Sequence, residues 1–133
     1  MNTPAITTLI VDDESPARAL LRKLAGEDPA LQIVGECGDG VAAVEAIESL
    51  RPDLVLLDIE MPELDGFGVL RALDPEHTPA FIFITAYDQY AVKAFDNHAI
   101  DYLLKPFDAA RFALALARAK ERLLDRNGKS SPR

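Results

Sequence analysis

The stretch Leu54–Gly66, LVLLDIEMPELDG, decides how the chain is read. Leu54 to Leu57 is apolar at every position, and Asp58 follows at once. A strand that is apolar throughout, rather than at alternate residues, needs cover on both faces. That is the condition of a strand inside a parallel sheet with helices above and below it. An aspartate at the end of such a run either caps it on the way to a turn or is held at the rim of the core to do chemistry.

Outward from this stretch, the chain alternates between two periods. Ile6 to Val11 (ITTLIV) reads as a short buried strand. Ser15-Pro16 then supplies an N-cap and a first-turn proline. Behind them Ala17, Leu20, Leu21 and Leu24 recur at helical spacing until Gly26 to Pro29 stops the helix. Leu31 to Glu36 is a second strand, and Val41 to Leu50 a helix with Val44, Ile47 and Leu50 on one face. After the strand Leu54–Leu57, a loop leads to a helix near Phe67 to Leu73. Ala80 to Ile84 (AFIFI) is a fourth strand, Asp88 to Asn97 a short helix, and Tyr102 to Leu104 lies in a fifth strand. Asp108 caps a last helix, whose Phe112, Leu116, Ala119 and Leu123 share one side. From Asn127 the polar NGKSSPR segment is expected to be a disordered tail or the start of a linker, leaving residues 1–126 as the folded domain.

Five β-α units use up the length without room for a second domain. The expected fold is α/β: a flavodoxin-like, doubly wound five-stranded parallel sheet, order 2-1-3-4-5, with five helices. The bulk properties narrow the function. With 49% hydrophobic and 27% charged residues in 133, the chain has the composition of a soluble globular domain with one core. A net charge of -8 argues against nucleic acid or an anionic membrane being bound by this domain alone. Cys37 is the single cysteine, which excludes an internal disulfide and a cysteine-rich metal site, and a buried inert thiol in the cytoplasm is expected. No run of apolar residues is long enough to span a membrane, and no export signal is evident.

In such a sheet ligands bind beyond the carboxyl ends of the strands, where the strand order reverses. The first strand ends in Asp12-Asp13, the third in Asp58, the fourth in Thr85-Ala86 and the fifth in Lys105-Pro106. Three carboxylates, a hydroxyl and an ammonium therefore converge at one edge. Two carboxylates about 4 Å apart repel by about 1 kcal/mol in bulk water and about 4 kcal/mol at a surface-like dielectric. Three are tolerable only with a proton or a cation between them. An all-oxygen set with open water positions suits Mg²⁺, and a carboxylate beside Mg²⁺ can attack phosphorus to form an acyl phosphate. Lys105 and the Thr85 hydroxyl would then hold the transferred oxygens.

Each residue alone has a plainer reading. Acids before a helix favour its dipole, threonine is a common strand former, and a lysine before Pro106 need only be extended, with a cis bond open to it. Glu60, Glu63 and Asp65 read as solvated loop acids, and His77 and His98 as surface residues without a ligand pattern. The conjunction at four strand ends is what favours a site.

These residues closely resemble the receiver domain of two-component response regulators, over essentially all of residues 5 to 124. The resemblance is carried by VDDE (Val11 to Glu14), LLDIEMPELDG (Leu56 to Gly66), ITAY (Ile84 to Tyr87) and LLKPF (Leu103 to Phe107). It implies that Asp58 accepts a phosphoryl group from the phosphohistidine of a sensor histidine kinase. It also implies that Asp13, Asp58 and the main-chain carbonyl of Glu60 bind Mg²⁺, with Asp12 assisting through water. Thr85 and Lys105 would hold the phosphoryl oxygens, and Tyr102 would change rotamer when Thr85 moves. Ala86 would leave space for the group, Gly66 would permit the turn after the acceptor loop, and the Glu60 side chain would tune how long the phosphoryl group survives.

A narrower resemblance covers Ile84 to Asp108, which looks like receivers attached to LytTR-type (LytR/AlgR-like) DNA-binding domains. It implies transcriptional output through a domain absent from these residues, so the chain is expected to be an excised receiver or a stand-alone one. Homodimerisation, when phosphorylated, through the surface of the fourth and fifth helices and the fifth strand is a further implication. Its chemistry as an enzyme would be confined to its own phosphotransfer and slow autodephosphorylation. The competing readings are a Mg²⁺-dependent aspartyl phosphohydrolase with Glu60 as second acid, a degenerate receiver that binds partners unphosphorylated, and a flavin carrier. DDESP (Asp12 to Pro16) repels anions where the flavin carrier would need a phosphate loop.

Overall fold

The computed structural model describes residues 5–126; the polar segment from Asn127 onward lies outside the described residues. Strands β1 (Ile6–Val11), β2 (Leu31–Cys37), β3 (Leu54–Leu57), β4 (Ala80–Thr85) and β5 (Asp101–Leu104) alternate with helices α1 (Ser15–Gly26), α2 (Gly40–Leu50), α3 (Gly66–Ala72), α4 (Ala91–Asp96) and α5 (Ala109–Arg126). A 3-10 turn, Pro75–His77, precedes β4. The sheet is parallel throughout, in the order β2-β1-β3-β4-β5. This is the expected flavodoxin-like fold.

The unbroken apolar run of β3 has the predicted cause. Val55 and Leu57 point into one core layer with Ile47, Phe67 and Phe83, while Leu54 and Leu56 point into the other with Leu21, Phe112 and Leu116. All four β3 residues are buried, so the strand is locked from both sides. At about 25 cal/mol per Å² of apolar surface removed from water, each such side chain stabilises the fold by about 1.5–3 kcal/mol.

Local departures from the sequence reading have local causes. The N-cap of α1 is Glu14, not Ser15, and its side chain makes no cap bond. The turn is made instead by the Asp12 carboxylate, whose Oδ1 accepts from the Glu14 N–H at 3.0 Å. Asp65, read as a solvated acid, caps α3 by accepting from the Gly68 N–H at 2.8 Å. Asp39 does the same for α2 through the Ala42 N–H. The fourth helix spans Ala91–Asp96 rather than the expected Asp88 to Asn97, because Asp88 to Tyr90 belong to a loop held by tyrosine hydroxyls. Leu20 and Leu50 face solvent rather than the core. Cys37 is buried as expected, and burial pushes its thiol up, away from reactivity.

Candidate functional site

At the carboxyl edge of the sheet, β1, β3, β4 and β5 end side by side, and each presents the polar group expected of it. Asp12 and Asp58 are buried there, Thr85 is the fully buried last residue of β4, and Asp13 is exposed at the mouth. Backbone bonds between neighbouring strand ends fix their relative heights. The Asp58 N–H donates to the Val11 carbonyl at 3.0 Å, and the Lys105 N–H donates to the Thr85 carbonyl at 2.8 Å. The Lys105-Pro106 peptide is cis.

One carboxylate oxygen from each of Asp12, Asp13 and Asp58 lies within 4.8 Å of the others. Lys105 Nζ sits between two of these acids, 2.7 Å from Asp12 Oδ2 and 3.3 Å from Asp58 Oδ2. Three carboxylates against one ammonium leave two uncompensated negative charges, the deficit that one divalent cation fills. The donors are all oxygen and one of the three acids is open to solvent, which suits a hard cation that keeps part of its water shell.

The electrostatics follow from this crowding. Burial pushes the Asp58 carboxyl up to about 6; Lys105 opposes the rise and the Asp12 carboxylate adds to it. Burial alone would lower the Lys105 ammonium, but its hydrogen bond to Asp12 and the charges of Asp58 and Asp12 hold it above the usual lysine range. Lys105 therefore stays a cation at neutral pH, and Asp58 is an acid kept basic by its surroundings. A raised carboxylate pKa means a more nucleophilic oxygen once ionised.

A cleft of about 390 Å³ opens over Asp58, lined among others by Asp13, Glu60, Ala86, Tyr87 and Lys105. Thr85 Oγ1 accepts from the Tyr87 N–H at 3.4 Å, and among the described residues its hydroxyl proton has no hydrogen-bond acceptor. The Glu60 N–H donates to Asp58 Oδ1 at 3.3 Å, while the Glu60 carboxylate is taken by the Tyr90 hydroxyl. A second catalytic acid, as in the hydrolase reading, is therefore not aimed at Asp58. Tyr102 lies half-buried at the edge of the core, its hydroxyl donating to the Tyr87 carbonyl. His77 pairs with Asp74 and His98 is exposed, both far from ligand duty.

Gly66 is needed for a different reason than a turn. Its backbone is not left-handed; the positive φ of the acceptor loop falls on Glu63, at 71°. A Cβ on Gly66 would stand 2.6 Å from the Asp58 carbonyl oxygen, so glycine lets α3 start against the residue that carries the key carboxylate. Two contributors escape sequence reading. The Arg18 guanidinium donates to the Asp12 carbonyl at 2.7 Å, steadying the acidic turn from α1. Tyr90 reaches Glu60 from the start of α4. Neither carries a motif, though both follow from the topology.

Comparison with known proteins agrees with this geometry. The family model for the response regulator receiver domain matches residues 8–117. The chain is 50% identical over 116 residues to the transcriptional regulatory protein BtsR of Escherichia coli (strain K12), covering 87% of this chain and 48% of that protein. To a response regulatory protein of Yersinia pestis it is 46% identical over 122 residues, covering 92% of this chain and 51% of that protein. The chain thus spans about half the length of these curated relatives. Among solved structures, the REC domain of AraT, a response regulator from Geobacillus stearothermophilus, superposes with a TM-score of 0.83 at 32% identity, covering 93% of this chain and 99% of that one. Fold, acidic edge and relatives agree: this chain belongs to the response regulator receiver domain family.

Proposed function

We propose that residues 1–126 form a phosphorylation switch in which Asp58 accepts a phosphoryl group from the phosphohistidine of a sensor histidine kinase. One observation carries this reading: a buried, rigidly placed Asp58 sharing its carboxylate with Lys105 beside two further acids. An Asp58 oxygen attacks phosphorus and forms the P–O bond. The P–N bond breaks with its electron pair on the imidazole nitrogen, leaving a neutral ring when the other ring nitrogen carries a proton. Asp13, Asp58 and the Glu60 main-chain carbonyl would hold Mg²⁺, with Asp12 assisting through water, and the ion supplies neutralisation of the excess negative charge and of the incoming phosphoryl oxygens.

The rigid strand behind Asp58 supplies in-line positioning. Lys105 exchanges its contact with Asp58 for a phosphoryl oxygen, and the Thr85 hydroxyl donates to another. Ala86 leaves room for the group at the cleft wall. The loop after β4 draws inward, Tyr102 follows by changing rotamer, and the α4-β5-α5 surface changes with it. That surface then pairs with a second copy.

The relatives' doubled length and their printed role in transcription support output through a DNA-binding domain, of LytTR type by the Ile84–Asp108 resemblance. The net charge of -8 disfavours contact of the receiver itself with nucleic acid or an anionic membrane; none of the described helices is long and apolar enough to cross a membrane. The setting is the cytoplasm, and the only chemistry is the receiver's own phosphotransfer and slow autodephosphorylation.

Incubation with Mg²⁺ and a small acyl-phosphate donor, read by intact mass, tests this. The wild type gains one phosphoryl group and Asp58→Asn gains none. An adduct that persists in Asp58→Asn sinks the assignment, and a wild type that never gains the group makes this a degenerate receiver. Asp13→Ala loses the adduct together with Mg²⁺ affinity; undiminished Mg²⁺ binding in that variant contradicts the ligand set.

A further inference from the structure

We infer that the Tyr90 hydroxyl and the Glu60 carboxylate form a clasp that holds the β4–α4 loop in its resting arrangement, making Tyr90 a positioning residue for the phosphotransfer proposed above, on which this inference rests. The loop of residues 86–90 is tied near both ends. Toward its start the Tyr102 hydroxyl holds the Tyr87 carbonyl; at its end the Tyr90 hydroxyl holds Glu60 Oε2, on the loop after β3. The Tyr90 ring is set for this by edge contacts, with centroids 6.0 Å from Phe67 and 6.4 Å from Tyr87.

The clasp matters because α4 is lightly held. It has six residues, no side-chain cap at its N-terminus, and Ala94 as its buried residue. Few apolar contacts and an uncapped first turn place such an element at the low end of local stability. Glu60 also faces two ways. Its N–H donates to Asp58 Oδ1 at 3.3 Å, while its side chain receives Tyr90. A change at Asp58 therefore reaches the start of α4 through a single residue, without passing through Thr85 or Tyr102.

A contact made in the resting arrangement lowers the population of the rearranged one, and its removal shifts the balance by the strength of that contact. An exposed hydroxyl-to-carboxylate bond corresponds to a factor of about five. Tyr90→Phe keeps the ring contacts and removes the hydroxyl. Glu60→Ala removes the acceptor but keeps the main-chain carbonyl, and Glu60→Gln keeps an acceptor oxygen.

The measurement is amide hydrogen exchange over residues 86–91 in the unphosphorylated full chain, with the initial rate of phosphorylation followed against donor concentration. Tyr90→Phe and Glu60→Ala should each speed exchange about fivefold and raise the limiting phosphorylation rate by a similar factor, leaving the half-saturating donor concentration unchanged. The double variant should match either single, and Glu60→Gln should exchange like the wild type. Additive effects in the double variant, or unchanged exchange in Tyr90→Phe, overturn the clasp. A wild type that takes up no phosphoryl group overturns the reading of Asp58 instead, and the exchange cycle still decides the clasp.

Discussion

Asp58 shows what a single residue gives up for a reactive position. Its carboxyl is raised from the ordinary 3.8 to about 6 by burial first, with Lys105 opposing and Asp12 adding to the rise. Between those values the folded protein keeps a proton that the unfolded chain has lost. Stability therefore falls as pH rises through that window, and the penalty is complete above the upper value. Asp58→Asn removes the penalty while the Asp12–Lys105 pair stays intact. Without divalent metal, its urea midpoint should exceed that of the wild type above about pH 6 by the equivalent of about 1–3 kcal/mol. The gain should shrink on acidification to about pH 4. A gap that widens in acid would contradict the assigned direction. The position of Asp58 was legible from LVLLDIEMPELDG alone; its raised pKa was not, because Asp12 and Lys105 come from remote parts of the chain.

Among the elements, α5 is fastened by a residue that the sequence reading passed over. Asp101 opens β5 and is 2% exposed. Its Oδ1 accepts from Arg111 Nη2 at 2.8 Å, and its Oδ2 from Arg111 Nη1 at 2.9 Å and Arg118 Nη1 at 2.8 Å. Burial alone would raise the Asp101 carboxyl, but the Arg111 and Tyr102 hydrogen bonds and the two guanidinium charges hold it below the usual range. A depressed carboxylate contributes stability that is present above its ordinary pKa and lost as pH falls through the depressed one. Asp101→Asn should cost about 1–3 kcal/mol near neutral pH, the half-exposed guanidinium groups trimming the effect by screening. Urea midpoints should separate the variant from the wild type near pH 7 and draw together in acid, as Asp101 of the folded protein takes up its proton. An equal deficit at both would show that packing, not charge, holds the helix. The element order was readable because strand and helix periods are local. The caps at Asp39 and Asp65 and the Asp101 fork needed geometry, since an acid before a helix looks the same whether or not it bonds.

For the molecule as a whole, the face built by α4, β5 and α5 carries the most exposed apolar side chains near the switch. Val92 is 75% exposed, Phe95 54% and Leu104 46%. Apolar groups gathered on one surface are favourable to cover, so phosphorylation, or beryllofluoride in its place, should move the chain from monomer toward dimer in sedimentation. Phe95→Asp should keep the intact-mass adduct and lose the dimer. A dimer that forms equally well in that variant would place the interface elsewhere. The net charge of -8 opposes association, so added salt should favour the dimer.

By itself the sequence determined the five β-α units, the strand that must be covered on both faces, and the gathering of Asp12, Asp13, Asp58, Thr85 and Lys105 at strand ends. Apolar periodicity and the residue that ends each run are written in neighbouring positions, and parallel strand order then brings those ends together. Only the tertiary structure decided which charges meet. Asp12 and Lys105 are 93 residues apart in the chain and 2.7 Å apart in space. Their pairing, the raised Asp58, the close seat of Gly66 and the hold of Tyr90 on Glu60 depend on distances that no local pattern encodes.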